Sequence, residues 1–370
     1  MKKIGIVSAF DPHTDRKAHS GILFKINRSI EAAGFETVWV RNPKPFLYSI
    51  LCKIIAVFQK IGLLKGLYLD HTVLGSKLLA STIDKKAIAG CDYLMVIHYF
   101  HVPAFLKTTV PIIYHSDATF ELANDYYLHN IPRFLQKQAN YIEQLALDHS
   151  AFHLSSSDWR QESVINTYHQ NPDKCVVLEY GPCVDLDGMQ TKGSEDGVLH
   201  LFFSGVDWER KGGDIAVETV KILNERGIKS VLTIAGVKEI PKRYENKSYI
   251  NLVGYLNKNN KDQYQQLKKI YSTSDLFFLP TKAECSGIVF CEASACGLPI
   301  ITFDTGGIGS YVKNGINGYR LPEGASPAMF ADKIEEIINK NLLPTLSRGA
   351  LTYAATNLNW DNWTEWFKKL

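Results

Sequence analysis

Short apolar runs recur along this chain, each followed by a longer amphipathic stretch. Lys3–Phe10, Glu36–Val40, Tyr93–Tyr99, Pro111–His115, Ala151–Ser155 and Val176–Tyr180 are runs of this kind. Their near-continuous apolar character suits parallel strands covered on both faces. Between them, Ser20–Ala33 reads as a helix stopped by Gly34, Asn140–Asp148 as another, and Ser157 or Asp158 caps a third toward Tyr168. The rhythm then repeats. Strands are expected at Leu199–Gly205, Val231–Gly236, Ile250–Gly254, Leu276–Pro280 and Pro299–Phe303, with helices at Asp214–Arg226 and Asp262–Ser272. The segment Gly181–Gly197, holding Pro182, Gly188, Gly193 and Gly197, reads as a linker. The tail Trp360–Leu370, with Trp360, Trp363, Trp366 and Phe367, has the spacing of an amphipathic helix that folds back across the domain boundary.

This alternation predicts an α/β protein with two Rossmann-like domains, 1–185 and 198–350, and a helical segment over 351–370. Each domain would carry a parallel sheet with ligand-binding loops at the carboxyl ends of its strands. A cleft between the two is the expected ligand site.

Composition narrows the function. The 370 residues are 45% hydrophobic and 21% charged, as in ordinary globular chains. With 41 Lys+Arg against 38 Asp+Glu the formal charge is +3, which gives no footprint for nucleic acid. The seven cysteines form no C-x-x-C pair, so free thiols and a reducing cytoplasm are expected rather than disulfides or a zinc site. The opening run is ended by Asp11 and His13 with no cleavage site behind it, which reads as a strand rather than a signal peptide. No uncharged stretch is long enough for a membrane-spanning helix.

Two constellations carry chemistry. Gly205-Val206-Asp207-Trp208-Glu209-Arg210-Lys211-Gly212-Gly213 joins a strand to a helix. There the helix N-terminus favours an anion, Arg210 and Lys211 add full charge, and the glycines admit close backbone approach. A surface turn with solvated charges is the competing reading. No G-x-x-x-x-G-K-[ST] is present, and Gly306–Gly309 lacks the spacing of a dinucleotide loop. The second constellation runs from Pro280 to Pro299. Glu284 lies in a strand-to-helix loop, Glu292 lies within the helix, and Ser286-Gly287-Ile288-Val289 could present an anion-binding nest between them. A loop cap and an ordinary salt bridge are the alternatives for the two carboxylates.

Glu284, seven residues and then Glu292, with Gly287 and Gly297-Leu298-Pro299, resembles the retaining family 4 glycosyltransferases of the GT-B fold. Gly205…Arg210-Lys211-Gly212 upstream, with Gly306-Gly307 and Asn314-Gly315-Ile316-Asn317-Gly318 downstream, extends the likeness over about Leu199–Pro322. The resemblance implies that Lys211 and Arg210 neutralise a donor pyrophosphate, Glu284 contacts the transferred sugar, and Glu292 takes the ribose hydroxyls. It also implies that Ser286–Val289 present amides to sugar and phosphate and that Gly254-Tyr255-Leu256 flank the base. The donor would be a nucleotide-diphosphate sugar such as a UDP-sugar or GDP-mannose, with neither cofactor nor divalent metal; no Asp-x-Asp motif is present. The acceptor would be a saccharide or lipid-linked saccharide in bacterial polysaccharide, lipopolysaccharide or capsule assembly. One departure stands out: the family often has Arg after the first glycine, and here that position is Val206. An epimerase or phosphorylase on the same scaffold, or a noncatalytic nucleotide-sugar binding subunit, are the rival functions.

In the first half, Gly21 in His19-Ser20-Gly21 would let backbone near the donor, and the family often places a His where His115 stands, close to the sugar. Asp117, His98 and His101 lie nearby in sequence; His98-x-x-His101 has no third ligand for a metal. Residues 44–86 hold Lys44, Lys53, Lys60, Lys65, Lys77, Lys85 and Lys86 against Asp70 and Asp84, interleaved with large apolar residues. Two readings fit the 44–65 part: a helix on an anionic membrane surface, making the protein peripheral on the inner face of the cell membrane, or a buried helix with a lysine edge.

Overall fold

Every strand pairing among the described residues is parallel. The structure, a computed structural model, describes residues 1–185 and 196–370. It divides into two units, Met1–Leu178 with Trp360–Leu370, and Glu179–Asn359. The division falls just ahead of the expected linker, because Tyr180 is fully buried and its amide donates to the Tyr311 hydroxyl within the second unit. Most of that linker, 186–195, lies outside the described residues.

The first unit runs β1 (Lys3–Ser8), α1 (Ile22–Ala32), β2 (Glu36–Arg41), α2 (Phe46–Lys60), α3 (Val73–Ser81), α4 (Lys85–Ile88) and β3 (Tyr93–Ile97). It continues α5 (His101–Phe105), β4 (Ile112–Ser116), α6 (Phe120–Ala123), α7 (Arg133–Asp148), β5 (Phe152–Ser155), α8 (Asp158–Asn166) and β6 (Cys175–Val177). Its sheet order is β2-β1-β3-β4-β5-β6. The chain therefore steps outward from β1 to β2 and then reverses to β3, which makes β1/β3 the switch point. Ile4, Ile6, Val7, Leu94, Met95 and Ile113 are fully buried, as strands covered on both faces require. Ser157 caps α8 by accepting from the Arg160 amide.

The second unit runs β7 (Leu199–Gly205), α9 (Gly213–Glu225), β8 (Ser230–Gly236), β9 (Ile250–Gly254), α10 (Lys261–Thr273) and β10 (Leu276–Leu279). Then follow α11 (Ile288–Ala295), β11 (Ile300–Phe303), β12 (Gly318–Leu321), α12 (Pro327–Asn339) and α13 (Leu343–Thr356). The order β12-β11-β10-β7-β8-β9 puts its switch point between β7 and β10. Asn317 is buried beside β11; its side-chain amide donates to Ser294 Oγ and the Tyr311 carbonyl while its oxygen accepts from the Lys313 amide. The Asn314–Gly318 motif thus builds the turn into β12.

The last helix, α14 (Asp361–Phe367), packs on α1 of the first unit, with Trp363 and Phe367 fully buried. Among the described residues no helix is long and apolar enough to cross a membrane.

Two expectations need correction. Helix α1 starts at Ile22 rather than Ser20, because His19, Ser20 and Gly21 all have positive φ (49°, 59° and 99°). The Lys-rich segment does not form a buried helix: of the α2 side chains only Tyr48 is buried.

Candidate active site

Each unit gathers its candidate residues at its own switch point, on the carboxyl ends of the strands. In the second unit Lys211 follows β7 and Glu284 follows β10, the two strands that flank the reversal. The Lys211 ammonium donates directly to the Glu284 carboxylate. Both side chains are largely enclosed, with 10% and 16% of their surfaces exposed. A cation and a carboxylate so placed hold each other in one geometry and keep a little surface for a ligand.

The glycines explain how the lysine reaches that position. A Cβ on Gly205 would lie 2.8 Å from Lys211 Cγ, so the end of β7 must be bare for the side chain to pass. Gly212 has φ +74°, and a Cβ there would lie 2.0 Å from the Pro280 carbonyl oxygen at the end of β10. Only glycine permits this approach of the two loops. Arg210 holds them together. Its amide donates to Asp207, its guanidinium donates to the Ala283 carbonyl at 2.9 Å, and its own carbonyl accepts from the Lys282 amide at 2.8 Å. Arg210 therefore tethers the loops, with its charge beside Lys211. Val206, where the family often has Arg, is 68% exposed and supplies no charge.

Gly287 is the residue ahead of α11, so Ile288 and Val289 lie in its first turn, where helix amides have no helical partner. Ser286 is buried just before them. The Glu284 carbonyl accepts from the Gly307 amide, which ties the Gly306-Gly307 turn to the same loop.

Glu292 lies deeper, 1% exposed, and both of its oxygens are already engaged. Lys258 Nζ donates to Oε1 at 2.7 Å and Tyr271 Oη to Oε2 at 2.8 Å. No motif in the sequence points to these partners, which come from the loop after β9 and from α10. For Lys258, burial alone would depress the amine, but the Glu292 charge outweighs it and the pKa rises. For Tyr271, burial first and then the Glu292 charge push the phenol well up, so it remains a donor. The same loop begins with Gly254 at φ +81°, the half-exposed Tyr255, and Leu256. This loop lies at the edge strand β9, and its Lys258 brings it back to α11.

In the first unit, His19 follows β1 and His98 follows β3, and their rings pack at 4.9 Å between centroids. Both have left-handed backbone, φ 49° and 62°. Two strained non-glycine residues at a switch point mark a constrained site. Burial drives the His19 imidazole down to about 4, helped by His98, and its Nε2 is buried with no hydrogen-bond partner. His98 Nδ1 lies 3.4 Å from the Asp117 carboxylate. His115 is fully buried behind them, 5.6 Å from the His98 ring and 5.1 Å from the Trp363 indole. Its Nδ1 pairs with the Leu154 carbonyl, and burial keeps it neutral by lowering its pKa far below the ordinary value. His115 is thus enclosed, and the partly buried His19 and His98 rings stand in front of it. His101 stands apart, bonded to Asn42 at 2.9 Å. Gly21 is buried at the start of α1.

Residues 189–356 match the model of the family "Glycosyl transferases group 1". A stretch of 100 residues is 32% identical to D-inositol 3-phosphate glycosyltransferase of Acidothermus cellulolyticus, covering 27% of this chain and 22% of that protein. The chain thus spans under a quarter of that curated relative. Over the whole chain, the fold is similar to sucrose-phosphate synthase from Thermosynechococcus elongatus, with TM-score 0.70 and 15% identity over 98% of that chain. It is also similar to Anabaena HepE, solved in complex with UDP and glucose, with TM-score 0.65 and 14% identity over 99% of that chain. At these identities the structures establish the fold alone, two Rossmann-like domains of the GT-B type.

Proposed function

We propose that this chain, whose residues 189–356 match the group 1 glycosyl transferase model and whose fold is of the GT-B type, moves a sugar from a nucleotide-diphosphate sugar to a hydroxyl acceptor with retention of anomeric configuration. The observation that carries the reading is the Lys211–Glu284 pair across the β7/β10 switch point, with Arg210 and the first turn of α11 beside it.

In this reading the diphosphate lies against Lys211, Arg210 and the amides of Gly287 to Val289. The bond from the anomeric carbon to the β-phosphate oxygen breaks, and negative charge grows on the departing diphosphate. Fixed cations and amides stabilise that charge without having to reorganise. The acceptor oxygen bonds to the anomeric carbon from the leaving-group face, and its proton passes to a phosphate oxygen. Glu284, held by Lys211, orients the sugar and is not a covalent nucleophile. Glu292 accepts from the ribose hydroxyls, with Lys258 and Tyr271 holding it in position. Tyr255 and Leu256 flank the base. His19, His98 and Asp117 belong to the acceptor side, with His115 setting the His98 ring from behind.

Curated relatives of the Acidothermus kind act on an inositol phosphate, and the Anabaena structure holds UDP and glucose. These favour a UDP-sugar donor and a polyol or saccharide acceptor. The test is a thermal-shift screen against UDP-, GDP- and ADP-sugars, since a ligand bound only by the native state raises the melting temperature. Proton NMR of the product then follows. One donor should stabilise the protein and yield a glycoside of unchanged anomeric configuration; an inverted product, or no transfer with any donor, contradicts the reading.

A further inference from the structure

The first unit carries an apolar helix that nothing among the described residues covers. On α2, Phe46, Leu47, Ile50, Ile54, Val57 and Phe58 are all exposed, Phe46 to 82% and Val57 to 61%. At about 100° per residue these six fall within an arc of about 120° on one side of the helix. The opposite side carries the buried Tyr48 and Gln59, whose amide donates to the Leu67 carbonyl at 3.0 Å and anchors the helix to the chain beyond it. The stripe continues past the helix through Ile61, Leu63 and Leu64, which are also exposed. A soluble chain rarely leaves so long an apolar row in water unless something occupies it.

Charge identifies the occupant. By the same helical arithmetic, Lys53 and Lys60 lie side by side along one edge of the stripe, and Lys44 and Lys65 stand at its two ends. No Asp or Glu occurs between Arg41 and Asp70. An apolar stripe edged by cations and free of carboxylates is complementary to a surface that is apolar beneath and anionic on top. A second copy of this chain is a poorer fit, because an isologous antiparallel contact would bring the lysine edges together and no acidic residue of this stretch faces them on either copy.

We propose that α2 and the turn after it seat this unit on an anionic lipid bilayer, with the Phe46–Phe58 stripe among the acyl chains and Lys53 and Lys60 at the headgroups. Residue by residue, the lysines act through charge, so attachment weakens as salt rises. The apolar stripe acts through burial and is indifferent to salt.

The experiment is flotation of the full chain with vesicles of phosphatidylglycerol and phosphatidylcholine in equal parts, and with phosphatidylcholine alone. The chain should float with the first and not with the second. Replacing Lys53→Gln with Lys60→Gln should lower the vesicle affinity about 25-fold, at about fivefold per lysine near the surface. Replacing Ile54→Gln with Val57→Gln should lower it about tenfold or more. Both pairs are exposed, so each variant should keep the parent's melting temperature and its rate of donor hydrolysis. Flotation needs no donor, so its outcome is separate from that of the transfer reaction. The proposal is overturned by absence of flotation with the anionic vesicles, by equal flotation with both vesicle types, or by light scattering that shows a dimer dissolved by Ile54→Gln with Val57→Gln.

Discussion

Removing the Lys211 ammonium takes away the cation nearest Glu284 and, in the proposed reaction, the charge that meets the departing diphosphate. Loss of a single fixed donor at a developing anion costs about 10²–10³ in turnover. The fold should lose less, about 1–3 kcal/mol, because Lys211 and Glu284 retain some contact with solvent. Lys211→Ala should therefore turn over donor some hundredfold or more slower at temperatures where it is fully folded; an unchanged rate would remove Lys211 from the reaction. Glu143 offers a prediction in pH. It is buried in the first unit, accepts from Tyr114 Oη, and burial raises its carboxyl from 4.5 to about 7 despite the nearby Arg160 charge. A carboxyl raised in the folded state holds its proton more tightly there than in the unfolded chain. Stability is then highest below 4.5 and falls as pH climbs through about 7, by on the order of 3 kcal/mol. Glu143→Gln should flatten that decline, and melting curves of both proteins between pH 4.5 and 8 would show it. At this scale the spacing singled out Glu284, Lys211 and Glu292, and the structure brings Lys211 and Glu284 into contact and buries Glu292 in α11. The spacing did not reveal Lys258 and Tyr271, which meet Glu292 only because the β9–α10 loop folds back to α11, nor the His19–His98 ring contact, whose members are brought together by the order of strands.

Among the elements, parallel strands were the most legible. Leu199–Gly205 and Ile250–Gly254 match their strands residue for residue, because short, mostly apolar runs that end on glycine leave few alternatives. Helix α7 begins at Arg133, seven residues before the expected Asn140, since its first turns mix Gln, Lys and Phe without a clear stripe. The short β12, and α12 and α13 behind it, were not read, and Gly318 shows why. A strand that opens on glycine carries a weak signal, yet a Cβ there would lie 2.0 Å from the Ile300 carbonyl oxygen. Loop geometry gives the element-scale prediction. Gly212→Ala places a Cβ against Pro280 and should cost about 1–3 kcal/mol of stability as well as activity, because it forces the β7 and β10 loops apart. Gly227 has a similar φ of +86° but open space around its Cβ position, so Gly227→Ala should cost only about 1 kcal/mol and spare activity. Urea denaturation of the two variants checks the contrast; equal losses would mean that the approach to Pro280 is not what Gly212 is for.

For the whole molecule, the consequential feature is that the chain returns to its first unit at the end. Trp363 fills space against the buried His115, and the Ser29 hydroxyl donates to the Trp360 carbonyl. The aromatic spacing of the tail made this helix legible, while the partner it packs on was not, because α1 lies more than three hundred residues earlier. Trp363→Ala should destabilise the first unit by about 3–5 kcal/mol, the usual loss for a large buried aromatic. In a two-unit protein this should appear as a shift in one of two unfolding transitions rather than in both. The matching switch points of the two units also set the central claim. In the proposed reaction the donor diphosphate lies on the second unit, at the carboxyl ends of β7 and β10. The most direct measurement is a crystal structure with a bound, unreactive nucleotide-diphosphate sugar. The diphosphate should lie within hydrogen-bond distance of Lys211 Nζ, with the sugar at Glu284 and the ribose at Glu292; a diphosphate bound away from all three residues would contradict the account.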